Sequence, residues 1–173
     1  MRIKAAVNIS AVDFHRPDFV KVVEAAVARS EIDASLLDLE VTEGVLIEDV
    51  DAVADKMTRL KETGLTISLD DFGTGFSSLA YIRNLPIDKL KVDREFVKEI
   101  PETDDGALVS SIVMLAKTLN FEVLAEGVES KAQLDYLKAT ECDQFQGYYA
   151  SRPVSPAKLQ EFALERSQLE RKM

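Results

Sequence analysis

Apolar and polar residues alternate along six short stretches of the chain, at positions 5–10, 36–42, 65–70, 89–93, 122–126 and 144–150. In the second stretch, Leu39 and Val41 lie between polar neighbours, Glu40 and Thr42. A period of two is typical of a β-strand with one apolar and one polar face. The pattern therefore predicts six strands.

Longer stretches with helical spacing separate these strands. After position 48, apolar residues recur at Val50, Val53 and Met57, and Gly64 ends the run. The same reasoning predicts helices at 17–29, 48–62, 77–84, 104–119, 130–138 and from 156 onward. Helices that alternate with strands at this spacing predict a parallel α/β fold.

The two faces of each strand distinguish an open sheet from a barrel. Strands of a doubly wound sheet are apolar on both faces, because helices cover both. Here one face is small or polar and becomes charged toward the carboxyl end, as in the strand that carries Lys89, Lys91 and Asp93. This favours a TIM-barrel-like fold of about six strand–helix units with a polar mouth. No linker or low-complexity segment divides residues 1–173, so a single domain is expected.

Polar residues at the strand ends are expected to meet at this mouth. Carboxylates so close together cannot all stay ionised without cations. Carboxylate and amide oxygens suit Mg²⁺ or Mn²⁺ better than zinc, and a lysine among them could orient or deprotonate the attacking water. The pattern thus predicts metal-assisted phosphoester hydrolysis, carried by Asn8, Glu40, Asp70, Asp71, Lys91, Asp93, Glu126 and Gln146.

Each of these features also has an ordinary explanation. Two aspartates before a glycine usually form a solvated turn, and one acid at a strand end usually caps a helix. The Asp-Phe-Gly at 71–73 also spells a protein kinase motif, but the sequence has no matching catalytic loop. Only the joint occurrence of these residues on successive strand ends favours a metal site.

Composition narrows the classes of partner. The net charge of −10 argues against binding to a nucleic-acid polymer or a membrane surface, but not against a small anionic ligand. Cys142 and His15 are the only residues of their types, which excludes a disulfide framework and zinc sites built on several histidines. No apolar run reaches the roughly 18 residues of a membrane span, and no signal peptide is evident, so a cytoplasmic protein is expected.

Six segments carry a resemblance to a known family: AVNIS (6–10), LEVTE (39–43), LDDFGTGFSSL (69–79), LPIDKLKVDREFV (85–97), LAEGVES (124–130) and QGYYASRPV (146–154). In order and spacing they resemble the EAL domain of bacterial cyclic di-GMP phosphodiesterases. The resemblance implies a TIM-like barrel that hydrolyses cyclic di-GMP to pGpG with Mg²⁺ or Mn²⁺. It assigns metal ligands (Asn8, Glu40, Asp70, Asp71), a pair for the attacking water (Lys91, Glu126) with Gln146 beside it, a loop anchor (Glu43), a supporting residue (Asp93) and a nucleotide-contacting wall (Arg152, Pro153).

The sequence departs from the family pattern at its start, where no Glu-Ala-Leu motif precedes Asn8. The motif's glutamate is a metal ligand in the family, whose barrels have eight strands. The expectation is an N-terminally truncated domain that lacks one metal ligand, with barrel edges open to pairing with a second copy or another chain.

Two classes of function stay open. The first is a phosphodiesterase that receives the absent segment from a partner chain or from a parent protein. The second is an inactive module that binds cyclic di-GMP or a protein partner.

Overall fold

Six parallel strands form one sheet in the computed structural model, which describes residues 3–47, 49–73, 82–100 and 106–170 and their side chains except those of 47 and 165–170. The strands follow one another in chain order across the sheet. They are β1 (Ala5–Ile9), β2 (Leu37–Thr42), β3 (Thr66–Phe72), β4 (Lys89–Val92), β5 (Glu122–Ala125) and β6 (Gln144–Phe145).

In the described part of the chain, helices lie between most successive strands and pack on one face of the sheet. Short 3₁₀ turns occupy Ala34–Leu36 and Glu43–Ile47. The α-helices of the described residues are α1 (Ala11–His15), α2 (Phe19–Ser30), α3 (Val50–Glu62), α4 (Arg94–Lys98), α5 (Gly106–Thr118), α6 (Lys131–Ala139) and α7 (Pro156–Glu170). This alternation confirms the predicted α/β, TIM-barrel-like fold.

The apolar strand faces form the core beneath the helices. Val41, Leu69 and Leu90 are buried there, and they pack in one cluster with Met57 and Leu60 of α3. Burial of each such side chain contributes about 1.5–3 kcal/mol. The polar face lies on the other side of the sheet, so the predicted alternation is also confirmed.

The last predicted strand is wrong beyond Phe145, because residues 147–150 form a turn. The backbone of Gly147 lies so close to Val128, three residues after β5, that an added Cβ would be 2.2 Å from the carbonyl oxygen of Val128. The Tyr149 N–H donates to that same oxygen, and the Ala150 N–H closes the turn by donating to the Gly147 carbonyl. The alternation of QFQGYYA could not reveal this close approach.

Other boundaries shift by smaller amounts. The five-residue helix α1 was not predicted; Ser10 caps it by accepting a hydrogen bond from the Asp13 N–H. Most of the predicted helix at 77–84 lies outside the described residues. No helix in the described part of the chain combines the length and the apolar character that crossing a membrane requires.

Candidate active site

A buried lysine lies at the centre of the polar mouth. The Lys91 side chain, from β4, is only 4% exposed. Its Nζ lies 2.9 Å from Glu40 Oε2, 2.8 Å from Asp70 Oδ1 and 2.8 Å from Glu126 Oε1. These carboxylates belong to β2, to β3 and to the residue that follows β5. The ammonium can therefore direct each of its three N–H groups at an acid from a different part of the sheet.

The acids keep this lysine charged. Burial alone would lower the pKa of Lys91, but hydrogen bonds to Asp70, Glu126 and Glu40 outweigh it and raise the pKa above its usual value. Lys91 is thus a positive charge in direct contact with three carboxylates.

A β-bulge brings the two consecutive aspartates to the same mouth. The pairing of β3 with β4 shifts register between Leu69 and Phe72, and Asp71 adopts a left-handed φ of 55°. In a regular strand, Asp70 and Asp71 would point to opposite faces. The expectation that the strand ends at Asp70 is wrong, because β3 continues to Phe72. The bulge, rather than the end of the strand, brings Asp71 to the mouth beside Asp70.

Asp71 lies in an environment with a surplus of negative charge. Burial raises its pKa first, and the nearby charges of Asp70, Asp93 and Glu126 raise it further. Lys91 offsets only part of this charge. A hard divalent cation with oxygen ligands suits such a donor set.

The described residues do not present a ready-made metal site. Among them, no group of three His, Cys, Asp or Glu side chains has the arrangement of a metal centre. The Lys91 ammonium lies between Glu40 and Asp70 instead. A cation that used these carboxylates would have to share them with the ammonium.

Two other predicted residues lie at the edge of this cluster. Asn8 is the register partner of Glu40 on the neighbouring strand β1, and its side chain is exposed. Asp93 caps α4 by accepting a hydrogen bond of 2.8 Å from the Glu95 N–H, and it also interacts with Asp71. Both positions face the same mouth as Glu40 and Asp71.

Glu43 holds the start of the loop that follows the aspartate pair. Its side chain is buried, and its Oε1 accepts a hydrogen bond of 2.9 Å from the Gly73 N–H. Gly73 has a φ of 98°, and an added Cβ would be 2.9 Å from the ring of Phe96. Position 73 therefore needs glycine on two grounds. Residues 74–81 lie outside the described part of the chain.

The remaining predicted residues form a separate wall. Gln146 joins β5 through its backbone, whose N–H donates to the Ala125 carbonyl at 2.8 Å. The Arg152 guanidinium lies over the Tyr148 ring, 4.5 Å from its centroid. Together with Pro153, these residues line an open groove against α7. The structure thus brings the acids and Lys91 together, whereas the described lining of the groove that contains Gln146, Arg152 and Pro153 includes none of them.

A second buried polar group, to which the sequence argument gave no role, lies beneath the cluster. Asp38, Ser68 and Lys89 are all nearly inaccessible to solvent. The Ser68 hydroxyl lies 2.8 Å from both Asp38 carboxylate oxygens, and Lys89 Nζ lies 2.7 Å from Asp38 Oδ2. The signal was present in the sequence, since each residue is two positions before a predicted site residue and therefore shares its strand face.

The family model and the curated relatives that match this chain point to the same family. A family model described as "EAL domain" matches residues 1–153. The cyclic di-GMP phosphodiesterase NbdA of Pseudomonas aeruginosa is 43% identical over 162 residues, which is 93% of this chain and 21% of that protein. The chain spans about a fifth of the length of the curated relatives that it matches.

Solved structures show the same similarity. A complex titled "PaMucR Phosphodiesterase, c-di-GMP complex" is 43% identical, with a TM-score of 0.85, over 90% of this chain and 64% of that one. Klebsiella pneumoniae BlrP1, solved as a manganese and cyclic di-GMP complex, is 30% identical, with a TM-score of 0.76, over 88% of this chain and 39% of that one. BlrP1 has also been solved with calcium.

Proposed function

The chain belongs to the EAL domain family, and we propose on this basis that it carries a phosphodiesterase site that hydrolyses cyclic di-GMP to pGpG. The observation that carries the proposal is the Lys91 ammonium, held at 2.8–2.9 Å by Glu40, Asp70 and Glu126 at the mouth of the parallel sheet. Fixed charges of this kind are what phosphoester hydrolysis requires, because charge develops on both the attacking and the leaving oxygen.

Each predicted residue has a task in this reaction. Mg²⁺ or Mn²⁺, when bound, would neutralise phosphate charge and polarise the phosphorus–oxygen bond. Its ligands would be Asn8, Glu40, Asp70 and Asp71. Lys91 orients the Glu126 carboxylate, which accepts the proton of the attacking water, and Gln146 lies beside this pair. Glu43 anchors the loop, Asp93 supports Asp71, and Arg152 with Pro153 contacts the nucleotide.

Hydrolysis assays on purified variants test this function. Glu40→Ala and Asp70→Ala should lower Mn²⁺-dependent hydrolysis of cyclic di-GMP by about 100-fold or more, since each removes a charge that contacts Lys91. Lys131→Ala is a suitable control, because Lys131 forms an exposed ion pair with Asp135. If wild-type protein binds the nucleotide but shows no turnover even at high enzyme concentration, the hydrolase proposal is wrong.

A second function is a module that binds cyclic di-GMP or a protein partner without turnover. It is favoured by the position of Lys91, whose ammonium lies between Glu40 and Asp70 where a cation would need to bind. Titration calorimetry with cyclic di-GMP distinguishes the two functions. Binding with the same affinity in EDTA and in Mn²⁺, without hydrolysis, supports the module.

We also propose that the chain forms a single EAL-type unit that pairs through its sheet edges with a second copy or another chain. The strand order ends at β1 and β6, and β1 is exposed along most of its length. Unpaired N–H and C=O groups on such edges favour addition of another strand. Light scattering over a range of concentrations tests pairing between copies.

The single cysteine supports a cytoplasmic location, because a chain with one cysteine has no internal disulfide for an oxidising compartment to maintain.

A further inference from the structure

Strands β2 and β4 carry two acid–lysine pairs, one above the other, on the same face of the sheet. The upper pair is Glu40 with Lys91, at 2.9 Å, and the lower pair is Asp38 with Lys89, at 2.7 Å. Asp38 and Glu40 are two residues apart on β2, and Lys89 and Lys91 are two residues apart on β4. The corresponding side chains are therefore separated by roughly 6.6 Å along the strand.

This arrangement would allow Lys89 to pair with either acid of β2. The register places Lys89 level with Ser68 and, across β3, with Glu40, so the Lys89 side chain can reach Glu40 as well as Asp38. The Lys89 side chain is only 10% exposed. A buried ammonium needs a carboxylate partner. Two acids lie at the level of Lys89 across the sheet, Glu40 and Glu122. Glu122 is exposed and accepts a hydrogen bond from Gln144, so without Asp38 the acid that would keep the ammonium buried is Glu40.

We propose that Asp38 is a positioning residue that keeps Lys89 away from Glu40, so that Lys91 is the lysine that occupies the carboxylate cluster. The Ser68 hydroxyl contacts both oxygens of the Asp38 carboxylate at 2.8 Å and fixes its orientation toward Lys89. The consequence for metal binding and hydrolysis rests on the proposed function, whereas the choice between the two lysines does not.

A simpler explanation is that Asp38 and Lys89 only hold β2, β3 and β4 together. A merely structural pair predicts that removing both partners is at least as harmful to the site as removing Asp38 alone. The positioning role predicts the reverse, because Lys89 disturbs Glu40 only when Asp38 is lost. A second substitution at Lys89 should therefore rescue the site.

The test compares Asp38→Asn, Lys89→Met and the double variant. In a crystal structure of Asp38→Asn, Lys89 Nζ should lie within hydrogen-bonding distance of Glu40. Calorimetry should show that the Mn²⁺ affinity of this variant is lower than that of wild type by a factor of about 10 or more. Losses of this size follow removal of a group that supports a metal ligand. Lys89→Met and the double variant should both bind Mn²⁺ within about threefold of wild type.

Two results would overturn the inference: Lys89 staying clear of Glu40 in Asp38→Asn, or a double variant as impaired as the single one. If wild-type protein binds no Mn²⁺, the proposed function fails, but the position of Lys89 still decides this inference. If Asp38→Asn does not fold, Asp38→Glu decides it. That variant keeps a carboxylate for Lys89 and should leave the Lys91–Glu40 contact intact; loss of that contact would contradict the positioning role.

Discussion

At the scale of single residues, Lys91 and its three acids have separable tasks, and this gives a first prediction. Lys91→Met should lower hydrolysis by about 100-fold or more, the range for loss of a group that orients a proton acceptor. The same change should leave Mn²⁺ affinity unchanged or higher, because it removes a positive charge that contacts Glu40 and Asp70. Hydrolysis assays and calorimetry on one preparation measure both effects.

Glu40→Gln is the matched control for this variant. It removes a negative charge from the same ion pair, so Mn²⁺ affinity should fall. If Lys91→Met weakens Mn²⁺ binding as much as Glu40→Gln does, the lysine serves mainly to hold the acids in place, and the division of tasks is wrong.

Glu43 provides a second prediction at this scale. Glu43→Ala removes the acceptor of the Gly73 N–H, so the amide of Gly73 should exchange its hydrogen faster and cyclic di-GMP should bind more weakly. Loss of this buried acceptor should cost about 1–3 kcal/mol of unfolding free energy. Hydrogen exchange monitored by NMR and urea titration are the measurements.

Glu43→Gln separates the hydrogen bond from the charge of Glu43. The amide oxygen of glutamine can still accept from the Gly73 N–H, so exchange at Gly73 should stay close to that of wild type. Fast exchange in both variants would show that the charge, rather than the acceptor, holds the loop.

The sequence located most of the acids of the cluster because strand alternation is a local property. Glu40, Asp70 and Lys91 follow directly from a period of two and from parallel strands whose carboxyl ends meet. The pairing of Asp38 with Lys89 did not follow, because it depends on the register between strands β2 and β4, which lie on either side of β3. The bulge at Asp71 is likewise set by pairing with β4 and has no signature in the alternation.

At the scale of elements, two similar contacts fasten neighbouring strands at the amino-terminal side of the sheet. Asp88, just before β4, accepts hydrogen bonds from Lys61 and from the Ile67 N–H. Asp143, just before β6, accepts from Lys117 and from the Val123 N–H. In both, the lysine is near the end of a helix and six residues before the strand amide.

The spacing between the lysine, the helix end and the strand can be found in the sequence. The aspartate contact that the lysine makes cannot. Gly64 and Asn120 each follow the lysine by three residues and adopt the left-handed φ that ends a helix. The offset of lysine, helix end and strand is therefore a local pattern. The aspartate that completes each contact is 27 residues after Lys61 but 26 after Lys117, and only the fold brings it near.

Asp143 allows a third prediction, which concerns pH. Burial alone would raise the pKa of Asp143, but hydrogen bonds from Lys117 and the Val123 N–H outweigh it and lower the pKa below its usual value. A carboxyl group whose pKa is lower in the folded state stabilises the fold at pH values above its unfolded pKa of about 3.9. This stabilisation is lost as pH falls through the folded pKa.

Asp143→Asn should therefore lower the unfolding free energy most at pH 6–7, by about 1–3 kcal/mol. The difference from wild type should shrink as pH falls below about 4. Urea titrations at a series of pH values measure it. A difference that does not change with pH would mean that the Asp143 charge contributes nothing and that only the acceptor oxygens matter.

At the scale of the whole molecule, charge and fold stability are linked through the carboxylate cluster. The chain has a net charge of −10, and part of that charge is concentrated around Asp71, where burial and neighbouring acids raise the pKa. Mutual repulsion among these acids opposes folding. A cation that binds the folded cluster and not the unfolded chain should relieve the repulsion and stabilise the protein.

The fourth prediction is that Mn²⁺ raises the melting temperature. At a free Mn²⁺ concentration 100 times its Kd, the gain is about 2.7 kcal/mol. For a chain of 173 residues, this corresponds to a shift of roughly 5–10 °C. NaCl at equal ionic strength controls for screening, and Asp70→Asn controls for the site. If Asp70→Asn shows the same shift as wild type, Mn²⁺ acts elsewhere on the acidic surface, and the cluster around Lys91 does not bind the cation.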